Sequence, residues 1–255
     1  MQEILKVKIN RANFKRVNLN ESNFNRANLI GADFIEANLK ESYLKGVNLR
    51  EANLEGANLE GANLREANLK WTNLRKTKLE GADLREANLI GIDLREANLR
   101  KANLDGANLE GANLRGANLE GANLREVNLE GAELNWAILR GANLLKSHLV
   151  WTNFTGANLE WADLMKVNLE WANLRWANLE GANFEGANLK GTKFREAHYL
   201  TLEQLSKVKT LHDAKLNDEL LLKLKEEYTY LFKSLDQQFL ESQNNLLGTD
   251  PDNNF

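Results

Sequence analysis

The sequence has no cysteine, three histidines and a single proline, Pro251. Without cysteine there are no disulfides and no thiol chemistry, a composition that suits a cytosolic protein. No apolar run is long enough to span a membrane, and the start lacks the charged-then-apolar pattern of a signal segment. The expectation is a soluble, cytoplasmic protein without membrane partners. His148 and His198 are fifty residues apart, which matters once the period of the chain is known. Glycine is present, but not in a phosphate-binding arrangement.

What fills the chain instead is one period. Every fifth residue from Phe14 to Phe194 is Leu or Phe, 37 positions without an insertion. A strand alternates with period two and a helix with 3.6, so neither explains it. Calling the apolar position i, a typical unit reads Ala52-Asn53-Leu54-Glu55-Gly56. Position i−2 is small or β-branched, i−1 is mostly Asn or Asp, and 16 of the 17 glycines fall at i+2. Glycine tolerates positive φ, so i+2 is read as the corner of each unit. A different turn type is expected where i+2 is Glu, Lys, Arg or Trp. A unit burying one Leu and one Ala cannot fold alone against a backbone ordering cost of about 1–2 kcal/mol per residue. Stacking must hold it.

The motif of small residue, Asn or Asp, Leu or Phe, then two free positions resembles the pentapeptide repeat family over about three quarters of the chain. The resemblance implies an all-β solenoid, a right-handed quadrilateral β-helix of pentapeptide repeats with four units, twenty residues, per coil. Ile4, Ile9 and Tyr199 extend the phase to about ten coils, a rod of about 50 Å at the ~4.8 Å ladder spacing. The repeat domain is assigned to residues 1–199. Residues 200–243 follow as C-terminal α-helices. Thr201 and Gln204 form a capping-box signature there, opening a helix that caps the sheet edge. Then Leu220, Leu224, Tyr228, Leu231, Leu235 and Phe239 recur every three or four residues, as on an amphipathic helix of about six turns. Residues 244–255 read as a disordered tail. At the other end, Glu3, Lys6 and Lys8 around Met1–Val7 carry the charge that would discourage stacking on the N-terminal edge.

Catalysis needs convergent groups, and the period separates them. Two and a half coils put His148 and His198 on opposite sides of a rod, where they share no metal. Carboxylate pairs such as Glu110 and Glu130 sit on a convex surface without a pocket. The expectation is no enzyme, no cofactor and no metal. Tyr43, Lys78, Glu133, Ile138, His148, Lys193 and His198 replace Asn or Asp at i−1 and read as tolerated drift or local recognition features. Family resemblance also brings in DNA mimicry directed at a type II topoisomerase, which requires an acidic rod. Residues 1–198 carry 27 basic and 26 acidic side chains, so a neutral rod imitates DNA poorly. Direct nucleic-acid binding is disfavoured too, because the column of Arg75, Arg95 and Arg115 is short and flanked by Glu55 and Glu96.

All six tryptophans occupy i+2: Trp71, Trp136, Trp151, Trp161, Trp171 and Trp176. Five of them gather late in the array, where Leu145, Val150 and Met165 make i+1 apolar as well. A continuous apolar patch of several hundred Å² is expected there, and it needs a cover. The candidates are the protein's own C-terminal helix, a second copy in a homodimer, or another protein. Function is therefore expected to be that of a protein-binding scaffold of a kind abundant in cyanobacteria, a source that the Leu200–Leu205 segment also suggests by resemblance.

Overall fold

The structure is a computed structural model and describes residues 11–234 and 236–237. Parallel bridges join each residue n at i−1 to residue n+20, from Asn13–Asp33 through Asn178–His198. Twenty residues make one coil of a right-handed quadrilateral β-helix. The unit around Leu54 shows why five residues suffice for one side. Asn53 N donates to Ala32 O of the preceding coil at 2.9 Å, while Leu54 N and Gly56 N donate to Asn73 O and Arg75 O of the following one at 2.8 and 2.9 Å. Ala57 N closes the turn onto Leu54 O at 3.0 Å. The fifth donor, Glu55 N, bonds the Asn53 side-chain oxygen at 3.2 Å. Every backbone donor of the unit is thus satisfied, and this is the work of the i−1 Asn.

Leu or Phe at i and the small residue at i−2 fill the interior. From Leu29 to Phe194 these positions are buried, with columns of Leu and Ala alternating around the axis. Phe14 and Phe34, one coil apart, stack with ring centroids 4.7 Å apart. Threonine is tolerated at i−2 because its hydroxyl finds a carbonyl: Thr72 bonds Leu49 O at 2.8 Å and Thr192 bonds Leu169 O at 2.9 Å.

The corners correct one expectation. Glu126, Trp136 and Lys166 at i+2 have φ of 53°, 60° and 55°, close to the 68° of Gly56. There is one corner conformation, not two. A left-handed residue with a Cβ costs about 1–2 kcal/mol. The turn bond and the ladder bonds formed on both neighbouring coils hold it there.

The C-terminal end differs more. Tyr199, counted as the last apolar centre, is 66% exposed with φ of 59°, and the chain leaves the coil at this point. Helix α1, Leu202–Ser206, follows with the predicted capping box between Thr201 and Gln204. The chain then re-enters the coil: Thr210 bridges Asn188 and Lys215 bridges Lys193, now at a spacing of 22. Leu211 and Leu216 are buried as two further centres, so the solenoid resumes for two sides beyond residue 199.

The six-turn helix is not formed. Helix α2 runs only over Asp218–Glu227, Tyr228 leaves helical geometry at φ −132°, and a 3-10 turn covers Thr229–Phe232. Leu224 and Leu231 are buried, with Leu220, Leu221, Tyr228 and Phe232 packed partly against the core. The break lets Leu231 O accept from Leu211 N at 2.7 Å and from Thr210 Oγ1 at 3.2 Å, standing in for the next coil. Leu235, Phe239, the tail 244–255 and the N-terminal segment lie outside the described residues.

Candidate functional site

A twenty-residue coil assigns every surface position to one of four sides or four edges. Each side is named here by its last internal centre: Phe194, Leu179, Phe184 or Leu189. Trp71, Trp151 and Trp171 occupy the edge entering the Phe194 side; Trp136 and Trp176 occupy the edge leaving it. Trp161 lies on the next edge, between the Leu179 and Phe184 sides. Trp151 and Trp171 stack as expected, with ring centroids 5.7 Å apart and planes 13° apart.

The expected single patch is instead a band around three edges. Leu145 and Met165 sit on the Phe184 side, toward the one edge that carries no tryptophan, and Val150 adjoins Trp151 on the Leu189 side. All three are half-buried. Three tryptophans are far more open, Trp136 at 61% exposed, Trp161 at 62% and Trp151 at 59%, while Trp171 is half-buried. Across its described residues the C-terminal segment lies over the end of the rod and leaves those three rings uncovered.

Each ring is nonetheless seated. The indoles of Trp71, Trp136, Trp161 and Trp171 lean on Gly91, Gly156, Gly181 and Gly191, the corner glycines of the following coil. A glycine twenty residues after a tryptophan was a legible signal that the patch reading missed. Polar partners fix other faces: Trp161 Nε1 donates to Glu160 at 3.1 Å, and the Arg175 guanidinium lies 4.4 Å from the Trp176 ring centroid. The result is a rigid aromatic frame on either border of the Phe194 side.

Elsewhere the surface is a lattice of ion pairs. Arg85 forks onto Asp83 and holds its carboxyl below the usual carboxylate range, outweighing partial burial. Burial pushes the Asp93 carboxyl up, but Arg95 bonds it and the net shift is downward. Arg140 and Arg100 flank Glu120 and depress it in the same way, the Arg140 bond contributing most. Arg95, the middle of the suspected arginine column, is therefore neutralised locally. His148 faces Glu130 at 3.4 Å, far from His198 on another side. Among the described residues no three His, Asp or Glu side chains are placed to hold a metal ion. Nor is any helix among them long and apolar enough to cross a membrane.

The family described as pentapeptide repeats matches in eight copies, over residues 9–46, 42–81, 77–116, 102–141, 132–170 and 167–198. Among solved structures the chain is similar to HetL of the cyanobacterium Nostoc sp. strain PCC 7120, a pentapeptide repeat protein involved in heterocyst differentiation regulation. Identity is 31% over 78% of this chain and 90% of that one, with a TM-score of 0.62. It also matches alr5209 of Nostoc PCC 7120 at 31% identity, over 53% and 84% of the two chains, with a TM-score of 0.28. QnrB1, a plasmid-mediated fluoroquinolone resistance protein, matches at 18% identity over 84% and 96%, with a TM-score of 0.39. No curated protein matches.

Proposed function

The chain belongs to the pentapeptide repeat family, and we propose that it works as a non-enzymatic, cytoplasmic scaffold that binds another protein through the aromatic band of its last coils. The observation that carries this is the exposure of Trp136, Trp151 and Trp161 on a rod whose C-terminal segment, over its described residues, packs elsewhere. Three rings of this band, Trp136, Trp161 and Trp171, are seated on glycine backbone and so preorganised, and a partner loses little side-chain entropy in using them. Tryptophan is also enriched among residues that dominate binding energy. The involvement of HetL in regulation of differentiation supports a regulatory interaction of this kind. Topoisomerase-directed DNA mimicry gains nothing from the structure, because carboxylates such as Asp83, Asp93 and Glu120 are paired with arginines instead of standing as an acidic track.

The test is capture of partners from a cyanobacterial extract by the immobilised protein and by a Trp136→Ser/Trp151→Ser/Trp161→Ser variant, alongside sedimentation of both. The expected result is a protein retained by the parent and lost by the variant. Equal retention by both, with both monomeric, overturns the reading. A parent dimer that the variant dissolves would show that the partner is a second copy.

A further inference from the structure

The bridges from Asn173 to Lys193 and from Lys193 to Lys215 place three consecutive rungs on the Phe194 side. Together with Arg175 and Arg195, these lysines line a shallow depression of about 330 Å³. Lys193, Arg195 and Lys215 are exposed, and among the described residues no carboxylate lies within ion-pair distance of them. Arg175 alone is engaged, with Glu196 at 3.1 Å. Asp213 borders the cluster but faces His212 at 3.1 Å.

This arrangement is costly without an anion. Like charges directly opposite across a ladder are destabilising, and Lys193 and Lys215 are such a pair. Lys193 also occupies i−1, where most units, though not that of Lys78, place Asn or Asp to accept the N–H two residues on. A lysine has no acceptor, so the side gives up that bond to carry a cation. Elsewhere on the rod several arginines do the opposite and pair with neighbouring carboxylates, Arg85 with Asp83, Arg95 with Asp93 and Arg140 with Glu120.

We infer that this end of the Phe194 side docks an acidic segment of the protein partner, its carboxylates on Lys193, Lys215 and Arg195 and its apolar groups against Trp176 and Trp171. The inference rests on the scaffold reading and adds the chemistry of the partner. Charge complementarity calls for an anionic occupant, and the extent of the cluster selects a short acidic peptide over nucleic acid. The cluster occupies only three rungs, and farther along the same side the i−1 and i+1 positions are Asn153, Thr155, Glu133 and Asn135, which offer no continuing track for phosphates. Trp171 and Trp176 border the cluster on its two edges, close enough to report occupancy through their emission.

The experiment titrates the full chain with a fluorescein-labelled octaglutamate peptide carrying one C-terminal Phe, followed by anisotropy and by tryptophan emission in low and moderate salt. Variants are Lys193→Glu/Lys215→Glu and, as a charge-matched control on other parts of the rod, Lys101→Glu/Lys146→Glu. Thermal unfolding confirms that each is folded. The expected outcome is peptide binding that weakens with salt and falls at least tenfold in the first variant but less than twofold in the control. Lys193→Asn/Lys215→Asn should fall less steeply, since it removes charge without reversing it. Equal affinity for all variants, or no binding to the parent, overturns the inference. So does tighter binding of an oligothymidylate of the same charge, which would make the site a nucleic-acid contact. If the tryptophan variant loses its partner while the lysine variant keeps it, the scaffold reading stands and only the acidic docking fails.

Discussion

The indole of Trp136 occupies the space a side chain at Gly156 would need: a Cβ there would fall 2.3 Å from Cζ3 of Trp136. Gly156 also has φ of 66°. Gly156→Ala therefore meets two costs, about 1 kcal/mol for a left-handed alanine and a further term for displacing the ring. Gly111 has nearly the same φ with nothing within 4 Å, so Gly111→Ala should show only the first cost. Urea unfolding of Gly156→Ala in parent and Trp136→Ala backgrounds should reveal a coupling of about 0.5–2 kcal/mol. Additive effects would mean that the ring is not seated on the glycine.

Leu114 and Glu110 stand four residues apart on opposite sides of the wall. Leu114 is 1% exposed in an apolar column, whereas Glu110 points to solvent. Leu114→Asp buries an unpaired carboxylate and should cost about 4 kcal/mol or prevent folding. Glu110→Ala should stay within about 0.5 kcal/mol of the parent. Similar melting temperatures for the two variants would contradict the assignment of inward and outward positions.

Much of this was legible because the five-residue motif resembles the pentapeptide repeat family, and that resemblance implies a coil of twenty residues. The buried Leu and Ala columns and the stacking of Trp151 on Trp171 follow from that coil length, whereas the bond from Glu55 N to Asn53 and its equivalents emerges only in the structure. The corners did not follow, since sequence treats Glu126 and Gly121 as different while the ladder bonds impose one conformation on both. Helix α2 was misjudged for a related reason. Leu220, Leu224, Tyr228 and Leu231 keep a helical spacing, but that spacing reflects contact with the blunt end of the rod, and the ladder's demand for an acceptor at Leu231 O breaks the helix at Tyr228. The basic cluster was hidden because α1 shifts the register from 20 to 22, so Lys215 does not fall in phase with Lys193.

Acid should weaken the rod through its paired carboxylates. Asp83, bonded by Arg85, titrates below its unfolded value. Its contribution is therefore fully present above the unfolded pKa, near 4, and is lost as pH falls through the lower folded value. Asp83→Asn keeps an acceptor for Arg85 N, bonded at 3.2 Å, while removing the charge. The variant should melt slightly lower than the parent at pH 7 and converge with it as pH falls through the depressed folded value of Asp83. A constant difference in melting temperature across that range would show that the pair contributes nothing ionic.

Gln204 closes the sheet edge with one amide. Its Nε2 donates to Leu179 O at 2.8 Å and to Ala182 O at 2.9 Å, while Oε1 accepts from Thr201 N at 2.8 Å. Leu179 O also accepts from Ala182 N at 3.1 Å, but Ala182 O would otherwise end the ladder unpaired, which is both destabilising and a template for another chain. Gln204→Ala should cost about 1–3 kcal/mol. Gln204→Glu should cost more, although it is nearly isosteric. At neutral pH its carboxylate still accepts from Thr201 N but sets a negative oxygen against two carbonyls, a conflict that protonation relieves. The Glu variant should accordingly regain stability relative to Ala as pH falls toward 4, and the Ala variant should associate end to end at concentrations where the parent does not. Sedimentation velocity together with melting at pH 7 and pH 4.5 checks both outcomes; a Glu variant as stable as the parent at pH 7 would mean that the amide does not bond the last coil.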